Sequence, residues 1–171
     1  LCDVQDITQV SDNVFILTIK VNHTIARELN HPGAYVFLRN LEDPNFFDTP
    51  MSIMTADPLT GTITTAIQIK GTKTKSLTEI SRQVYLRGPY WNGLLGVKYI
   101  KGLLNSRALL VVRGIAQAPA VPVARKLRSG GNRVDILLDK GKAGTNFAEE
   151  YFREAGCQII PMTLLNNNLQ L

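Results

Sequence analysis

The chain has 171 residues, of which 44% are hydrophobic and 19% are charged, and its formal net charge is +5. This composition is typical of an ordinary globular protein and excludes the disordered and fibrous classes. The Lys and Arg residues are spread from Lys20 to Arg153 without a dense block, so no nucleic-acid partner is predicted. The apolar runs are far shorter than the roughly 20 residues of a membrane-spanning helix, so no membrane span is predicted either.

Short β-type segments separated by turns occupy the first part of the chain. Residues 14–21 are rich in β-branched and aromatic side chains, which favour strands. Apolar side chains recur at every second position of 62–70, as in a strand that covers a core. The predicted strands are 14–21, 34–38, 51–55, 62–70 and 83–87. Five or six strands at this spacing predict a small antiparallel β-barrel, which we assign six strands and a first domain of residues 1–102.

Residues 103–171 have a different pattern. An almost continuous apolar run at 107–113 predicts a strand that is covered on both faces, and Asn146 with Glu149 predicts a capping box at the start of a later helix. The predicted order is strand, helix, strand, helix and strand, at 107–113, 118–129, 133–138, 147–155 and 157–161. This order predicts a parallel sheet with right-handed crossovers. We therefore predict an α/β domain of the nucleotide-binding type at 103–171.

The predicted α/β domain contains only half of such a fold. The chain also opens on Leu1 rather than Met, so we expect a piece of a longer polypeptide with an incomplete second domain. Its two cysteines, Cys2 and Cys157, lie at opposite ends and predict neither a disulfide framework nor a zinc site. No basic segment followed by an apolar stretch opens the chain, so no signal peptide is predicted. Reduced cysteines in a cytoplasmic protein are the expectation.

Gly114 joins the apolar strand to the helix that follows. A strand that enters a helix through a glycine brings backbone N–H groups and the positive end of the helix dipole to one point, where phosphates bind. A phosphate site is therefore predicted at the turn formed by Gly114, Ile115, Ala116 and Gln117.

Four local motifs resemble those of one family. Residues 32–36 (Pro-Gly-Ala-Tyr-Val) resemble a "PGQFV" strand entry, and 71–77 (Gly-Thr-Lys-Thr-Lys-Ser-Leu) resemble a "GxGTxxL" loop. Residues 87–93 are similar to a "GPLGNGF" barrel exit, and 114–119 to a "GGxGxAP" nucleotide turn. In this order, over residues 14–161, they resemble the ferredoxin–NADP reductase superfamily. The closest resemblance is to the electron-transfer subunit of dihydroorotate dehydrogenase and to related sulfide dehydrogenase and ferredoxin–NADP reductase subunits.

The resemblance implies a flavin-dependent oxidoreductase that is linked to NAD(P)H. FAD would lie between barrel and α/β domain, accept a hydride from the nicotinamide and pass electrons to a redox partner protein or a subunit with an iron–sulfur centre. The implied cofactor-binding residues on the flavin side are Met51, Ser52, Thr72, Ser76 and Leu77. Those on the nucleotide side are Gly114, Ile115, Ala116 and Gln117. No catalytic side chain and no metal ligand are implied.

The sequence departs from the family pattern at three positions. Thr49 lies where the family's "RxYS" or "RPxS" pattern has an Arg for a flavin phosphate, and a neutral hydrogen bond is about half as strong as a charge-assisted one. Arg113 and Gln117 replace glycines of the nucleotide turn. Arg113 would either supply a charge to a phosphate or block the pocket with its bulk.

Asp139, at the end of the next strand, is either a ribose ligand or an ordinary loop residue.

Two other groups of residues have two interpretations each. Lys70, Lys73 and Lys75 either bind a dinucleotide diphosphate or belong to a solvated hairpin loop. Tyr90 and Trp91 either stack on a cofactor ring or seal the interface between the two domains. For the whole chain, the alternatives to an active flavoprotein are a degenerate member that has lost flavin and serves as an interaction or regulatory module, and a nucleotide-binding protein without flavin.

Overall fold

The computed structural model describes residues 1–43, 48–161, 163–165 and 168–170. Six antiparallel strands form the first part of the molecule, namely β1 (Cys2–Ser11), β2 (Val14–Lys20), β3 (Tyr35–Asn40), β4 (Thr49–Asp57), β5 (Thr62–Gln68) and β6 (Gln83–Tyr90). They close into a barrel in the order β1-β2-β5-β4-β3-β6. The predicted six-stranded antiparallel barrel is therefore confirmed. Part of the predicted loop at 40–50, residues 44–47, lies outside the described residues.

The alternation of β5 explains the position of the barrel core. Ile63, Thr65 and Ile67 are buried in the barrel, and the Thr65 hydroxyl donates to the Ser52 carbonyl oxygen at 2.8 Å, which satisfies a buried polar group. Ala66, on the other face of β5, is also buried, but in a second apolar cluster that it shares with the α/β part. The second face of β5, which the alternation predicts to be polar, therefore contributes to the interface between the barrel and the α/β part.

Three elements of the barrel differ from the prediction. β1 was not predicted, because none of its side chains is fully buried and its polar residues obscure the alternation. Helix α1 (His23–Leu29) was not predicted either; the Asn22 side chain caps it by accepting from the Ile25 N–H at 2.7 Å. β6 continues through the cis Gly88–Pro89 bond to Tyr90, although Gly88–Pro89 was expected to end it.

The second part is a parallel sheet with helices. Its elements are α3 (Val97–Gly102), β7 (Arg107–Arg113), α4 (Gln117–Ser129), β8 (Arg133–Asp139), α5 (Glu149–Glu154) and β9 (Gln158–Pro161); helix α2 (Thr72–Ser76) precedes β6 in the barrel. The strand order is β7-β8-β9, all parallel, which confirms the predicted sheet. A short antiparallel pair, β10 (Thr163–Leu165) and β11 (Asn168–Gln170), follows.

The prediction that β7 is covered on both faces is wrong. Val112 is buried against α4 and α5, but Leu109 and Val111, which point to the opposite face, are 58% and 65% exposed. β7 is also an edge strand in the part of the chain that the structure describes, since β8 is its only neighbour there. An apolar run indicates that both faces can be buried, but among the described residues only one face of β7 is covered.

The predicted cap of α5 is also wrong. The helix begins at Glu149, and the Asn146 side chain makes no capping bond. Instead, the side-chain oxygen of Gln117 accepts from the Ala148 N–H at 3.1 Å. A side chain from α4 therefore does what the local capping box was expected to do.

The barrel and the α/β part are joined by apolar and polar contacts. Met54 of β4 packs in one cluster with side chains of α4. The loop after β8 is held through its carbonyl oxygens: Asn13 and Gln68 donate to Lys142 O at 3.0 and 2.9 Å, and Ser11 donates to Ala143 O at 2.7 Å. Among the described residues, we find no helix with the length and hydropathy needed to cross a membrane.

Candidate functional site

A cleft lies between β4 and the start of α4. Its volume is about 280 Å³. The barrel contributes Thr49, Pro50, Met51, Ser52, Ala66, Gln68, Lys70 and Thr74, and the α/β part contributes Ile115, Ala116, Ala118 and Pro119. A second hollow of about 330 Å³ shares Pro50, Met51 and Ser52 and continues to Tyr35, Asn92 and Gly93. Three residues near the start of β4, namely Pro50, Met51 and Ser52, therefore line two adjoining cavities.

Four of the predicted cofactor-binding residues meet in this cleft. Met51 and Ser52 from β4 face Ile115 and Ala116 from the turn after β7. The Ser52 side chain is half-buried, and its hydroxyl has no hydrogen bond to any residue that the structure describes. Met51 also packs in the barrel core cluster and is only 7% exposed, so the free Ser52 hydroxyl is the more accessible of the two side chains for a hydrogen bond to a ligand.

The predicted residues of the 71–77 motif do not line the cleft. Leu77 is buried in the barrel core, and Thr72 is exposed. The Ser76 carbonyl oxygen accepts a hydrogen bond from the Asn40 side-chain amide at 2.9 Å. The motif contributes Thr74 instead. The expected loop is the short helix α2, and the pitch of a helix turns Thr74, not Thr72 or Ser76, toward the cleft.

Lys70 is the cation of the cleft. It lines the cavity and forms no ion pair among the described residues. The backbone N–H groups of Lys70 and Gly71 donate to the Thr74 hydroxyl at 2.8 and 3.3 Å, which fixes the chain beside it. Position 70 thus supplies a positive charge that Thr49 does not.

Two other cations near the start of β4 share one carboxylate. Asp48 pairs with Arg87 at 3.0 Å and with Arg39 at 3.7 Å. Arg87 also lies over the Phe37 ring, with its guanidinium carbon 4.5 Å from the centroid. These contacts hold both arginines on the barrel surface rather than in the cleft.

The turn after β7 follows the predicted path from strand through glycine into a helix. Gly114 has φ +60°, a conformation that favours glycine, and leads through a 3-10 turn into the 13 residues of α4. The Gln117 side chain is fully buried: its amide nitrogen donates to Thr145 O at 3.0 Å and its oxygen accepts from Ala148 N. Gln117 therefore braces α4 against the start of α5.

Arg113 neither enters the cleft nor blocks it. Its Nε lies 2.8 Å from Asp139 Oδ2, and Asp139 Oδ1 accepts from the Gly141 N–H at 3.2 Å. The side chain packs so closely over Gly141 that a Cβ there would approach Arg113 Cγ to 2.9 Å. A ribose ligand would have to compete with Arg113 for the Asp139 carboxylate.

We expect Arg113→Gln to lower the free energy of unfolding by about 1 kcal/mol. The substitution removes the ion-pair partner of the buried Asp139, which is destabilising. The loss stays small because the Arg113 side chain is largely exposed, and exposed ion pairs contribute little. Urea denaturation measures this. An equal loss in Arg153→Gln, which breaks an exposed pair with Glu149 at 2.6 Å, would show that burial of Asp139 adds nothing.

The aromatic residues at the barrel exit have separate roles. Tyr90 stacks on Tyr35 with ring centroids 5.2 Å apart, and the Tyr35 hydroxyl donates to Asn92 at 3.0 Å at the second hollow. Trp91 instead donates from Nε1 to the Glu28 carbonyl of α1 at 3.0 Å. Tyr35, which belongs to the motif at 32–36 but was given no cofactor role, is the aromatic residue that lines the hollow.

The two cysteines lie away from the cleft, and both are free. Burial raises the pKa of the Cys2 and Cys157 thiols above the ordinary value. A raised pKa disfavours the thiolate, the nucleophilic form. We find no group of three or more His, Cys, Asp or Glu side chains placed to hold a metal ion within the described ranges.

No family model matches the sequence. Among solved structures, an NADH-dependent reduced ferredoxin–NADP oxidoreductase studied for flavin-based electron bifurcation superposes with a TM-score of 0.78 at 19% identity, over 94% of this chain and 56% of that one. The chain has the ferredoxin–NADP reductase fold. Flavohemoglobin from Malassezia yamatoensis, with bound FAD and heme, gives a TM-score of 0.72 at 14% identity over 98% of this chain and 45% of its own.

Ferredoxin–NADP+ reductase from Plasmodium falciparum, solved with 2′P-AMP, has a TM-score of 0.70 at 15% identity, over 98% of this chain and 73% of its own. The chain thus spans about 56% of the first of these matches. The superfamily resemblance inferred from four motifs is confirmed at the level of the fold. The narrower resemblance to the dihydroorotate dehydrogenase subunit stays a prediction. In this ferredoxin–NADP reductase fold, the candidate cleft lies at the junction of the barrel and the first turn of the parallel sheet.

Proposed function

We propose that the chain is the flavin-binding part of an NAD(P)H-linked oxidoreductase, with FAD in the cleft between β4 and α4. The observation that carries the proposal is the meeting of Met51 and Ser52 with Ile115 and Ala116. More than sixty positions of sequence separate the two pairs, yet both belong to motifs of one flavoprotein superfamily. The domain division at residue 102 assigns the first pair to a flavin domain and the second to a nucleotide domain.

The residues of the cleft fit a flavin. Met51, which is mostly buried in the barrel core, contributes a small apolar surface to a ring, the Ser52 hydroxyl is free to bond the ring's polar edge, and Lys70 can neutralise a phosphate. The two hollows that share Pro50 provide an elongated space suited to a ring and its phosphate chain. FAD, when bound, supplies the transfer of a hydride from NAD(P)H and the release of single electrons.

The chain's own residues position the two cofactors. Met51 and Ser52 orient the flavin, and Lys70, beside which the Thr74 hydroxyl fixes the backbone, holds its phosphate end. The backbone N–H groups of the turn at Gly114 and the positive end of the α4 dipole attract the NAD(P)H diphosphate. Electrons would leave to a redox partner protein or a subunit with an iron–sulfur centre.

FAD titration tests the proposal. Purified protein is expected to acquire flavin absorbance and to quench free-flavin fluorescence with a single saturable site. It should then reduce ferricyanide at the expense of NADH or NADPH. Failure to bind FAD would contradict the proposal. FAD binding without ferricyanide reduction would support the flavin site and contradict the link to NAD(P)H.

The absence of Arg at position 49 favours a second candidate, the degenerate member that has lost flavin. Thr49→Arg separates the two, since the variant adds a charge-assisted contact and should tighten FAD binding by about tenfold in a functional flavin site. Thr49→Gln, similar in reach but uncharged, is the matched control and should have little effect. Binding by Thr49→Arg alone, with none in the wild type, would favour the degenerate interpretation.

A further inference from the structure

A third cleft lies farther along α4, toward its C-terminal end. Its volume is about 320 Å³, and it shares no residue with the two hollows of the candidate cofactor site. One wall is the turn between α1 and β3, and the other is a face of α4. The lining residues are Asn30, His31, Pro32, Ala56, Pro122, Arg125, Lys126 and Ser129.

The charged side chains of this cleft are all cationic. Arg125 and Lys126 are half-buried, yet neither forms an ion pair with any described carboxylate; the Arg125 guanidinium lies 6.0 Å from the Tyr151 ring. By contrast, Arg87, Arg107 and Arg113 each have a carboxylate partner. A half-buried cation without a counterion costs desolvation energy that an anion would offset.

The sequence around the cleft explains this imbalance. Residues 80–134 contain ten Lys and Arg and no Asp or Glu. This stretch includes all of α3 and α4, which pack against each other. Neutralising carboxylates can come only from other elements, and none reaches Arg125, Lys126 or Lys101 among the described residues.

His31, which lines the cleft, holds a further cation, Lys101, beside it. His31 Nδ1 lies 2.7 Å from the Pro32 carbonyl oxygen, which can only accept, so Nδ1 carries the proton. Nε2 is then an acceptor, and the Lys101 ammonium donates to it. A neutral imidazole thus holds Lys101 at the cleft and leaves its positive charge for a ligand.

We propose that this cleft binds the phosphoryl group of a small anionic ligand. Arg125 presents a planar fork of donors that matches phosphate oxygens, and Lys126 and Lys101 add point charges. The ligand's apolar part would rest on Pro32, Ala56 and Pro122. A concave, half-buried site fits a small molecule better than the flat surface of an acidic protein.

The position of the cleft gives the ligand a structural effect. His31 and Pro32 belong to the barrel, whereas Arg125 and Lys126 belong to α4. A bound phosphate would therefore link the two parts of the molecule and resist thermal unfolding. The inference does not depend on flavin or nicotinamide binding.

Calorimetric titration with inorganic pyrophosphate at constant ionic strength tests the proposal. We expect wild-type protein to bind one equivalent at this cleft, separate from any bound at the cofactor site, and to show a higher Tm when it is bound. Arg125→Gln and Lys126→Gln should each weaken binding by about tenfold or more, since each removes a charge-assisted contact. Far-UV circular dichroism and the Tm without ligand verify that each variant folds.

Two matched variants make the test specific. Lys98→Gln removes a charge from the exposed face of α3 outside the cleft, and Lys70→Gln removes one from the cofactor cleft. Neither should alter the cleft affinity by more than about twofold. The proposal is overturned if the wild type does not bind pyrophosphate, or if only Lys70→Gln abolishes binding. It is also overturned if Lys98→Gln weakens binding as much as Arg125→Gln, because that result would indicate a diffuse basic surface for an acidic protein.

Discussion

Replacement of Lys70 by Gln is expected to weaken FAD binding by about tenfold, which corresponds to the loss of one charge-assisted hydrogen bond from an exposed cation that lines the cleft. Lys70 lines the cleft and has no carboxylate partner among the described residues. The nearby arginines, Arg39 and Arg87, are held by Asp48. Fluorescence titration with FAD measures the dissociation constant.

Two further variants identify the cause of any loss. Lys75→Gln removes an equal charge from α2, but Lys75 is exposed and pairs with Glu79 at 3.8 Å, so it should leave FAD affinity nearly unchanged. Thr49→Arg in the Lys70→Gln background should restore much of the affinity, because both positions line the same cavity. If Lys70→Gln binds FAD like the wild type, the phosphate end of the flavin lies elsewhere.

Replacement of Gln117 by Leu is expected to lower the free energy of unfolding by about 2 to 5 kcal/mol. The side chain is fully buried and satisfies two backbone groups, the Thr145 carbonyl and the Ala148 N–H. Leu is similar in size but leaves both groups unpaired, and each buried unsatisfied group costs about 1–3 kcal/mol. Urea denaturation followed by circular dichroism gives the value.

Gln83 provides the control for this substitution. Its amide also donates a hydrogen bond, to Asp3 at 2.8 Å, but on the exposed surface of the barrel. Gln83→Leu should therefore change the free energy of unfolding by less than about 0.5 kcal/mol. Loss of NAD(P)H binding in Gln117→Leu with unchanged stability would instead place the side chain against the nucleotide, as the sequence suggested.

The barrel could be predicted because its central strands have one buried and one less buried face. β5 shows the period of two in its sequence, and Ile63 and Ile67 point into the core as expected. β1 and α1 lack such a signal. α1 has only seven residues and two buried side chains, Ala26 and Leu29, which is too short a pattern to separate a helix from a turn.

The position of the candidate site could be predicted where a motif determines the path of the backbone. The direction of individual side chains could be predicted less well. Met51 and Ser52 lie on a strand segment that the motif located correctly, and both line the cleft, although alternation directs Met51 toward the barrel core and Ser52 away from it. Leu77 follows a helix whose existence the motif did not reveal, and it turns into the barrel core. The Gln117 partners lie about thirty residues away along the chain, and no local pattern reports contacts of that kind.

The exposed apolar face of β7 also affects how the protein behaves in concentrated solution. Leu109 and Val111 point into solvent, and the strand's outer edge has no hydrogen-bonded neighbour in the described part of the chain. Open edges with apolar side chains are templates for β-pairing between molecules. The net positive charge opposes this association through electrostatic repulsion, which salt screens. Colloidal stability should therefore decrease as ionic strength rises.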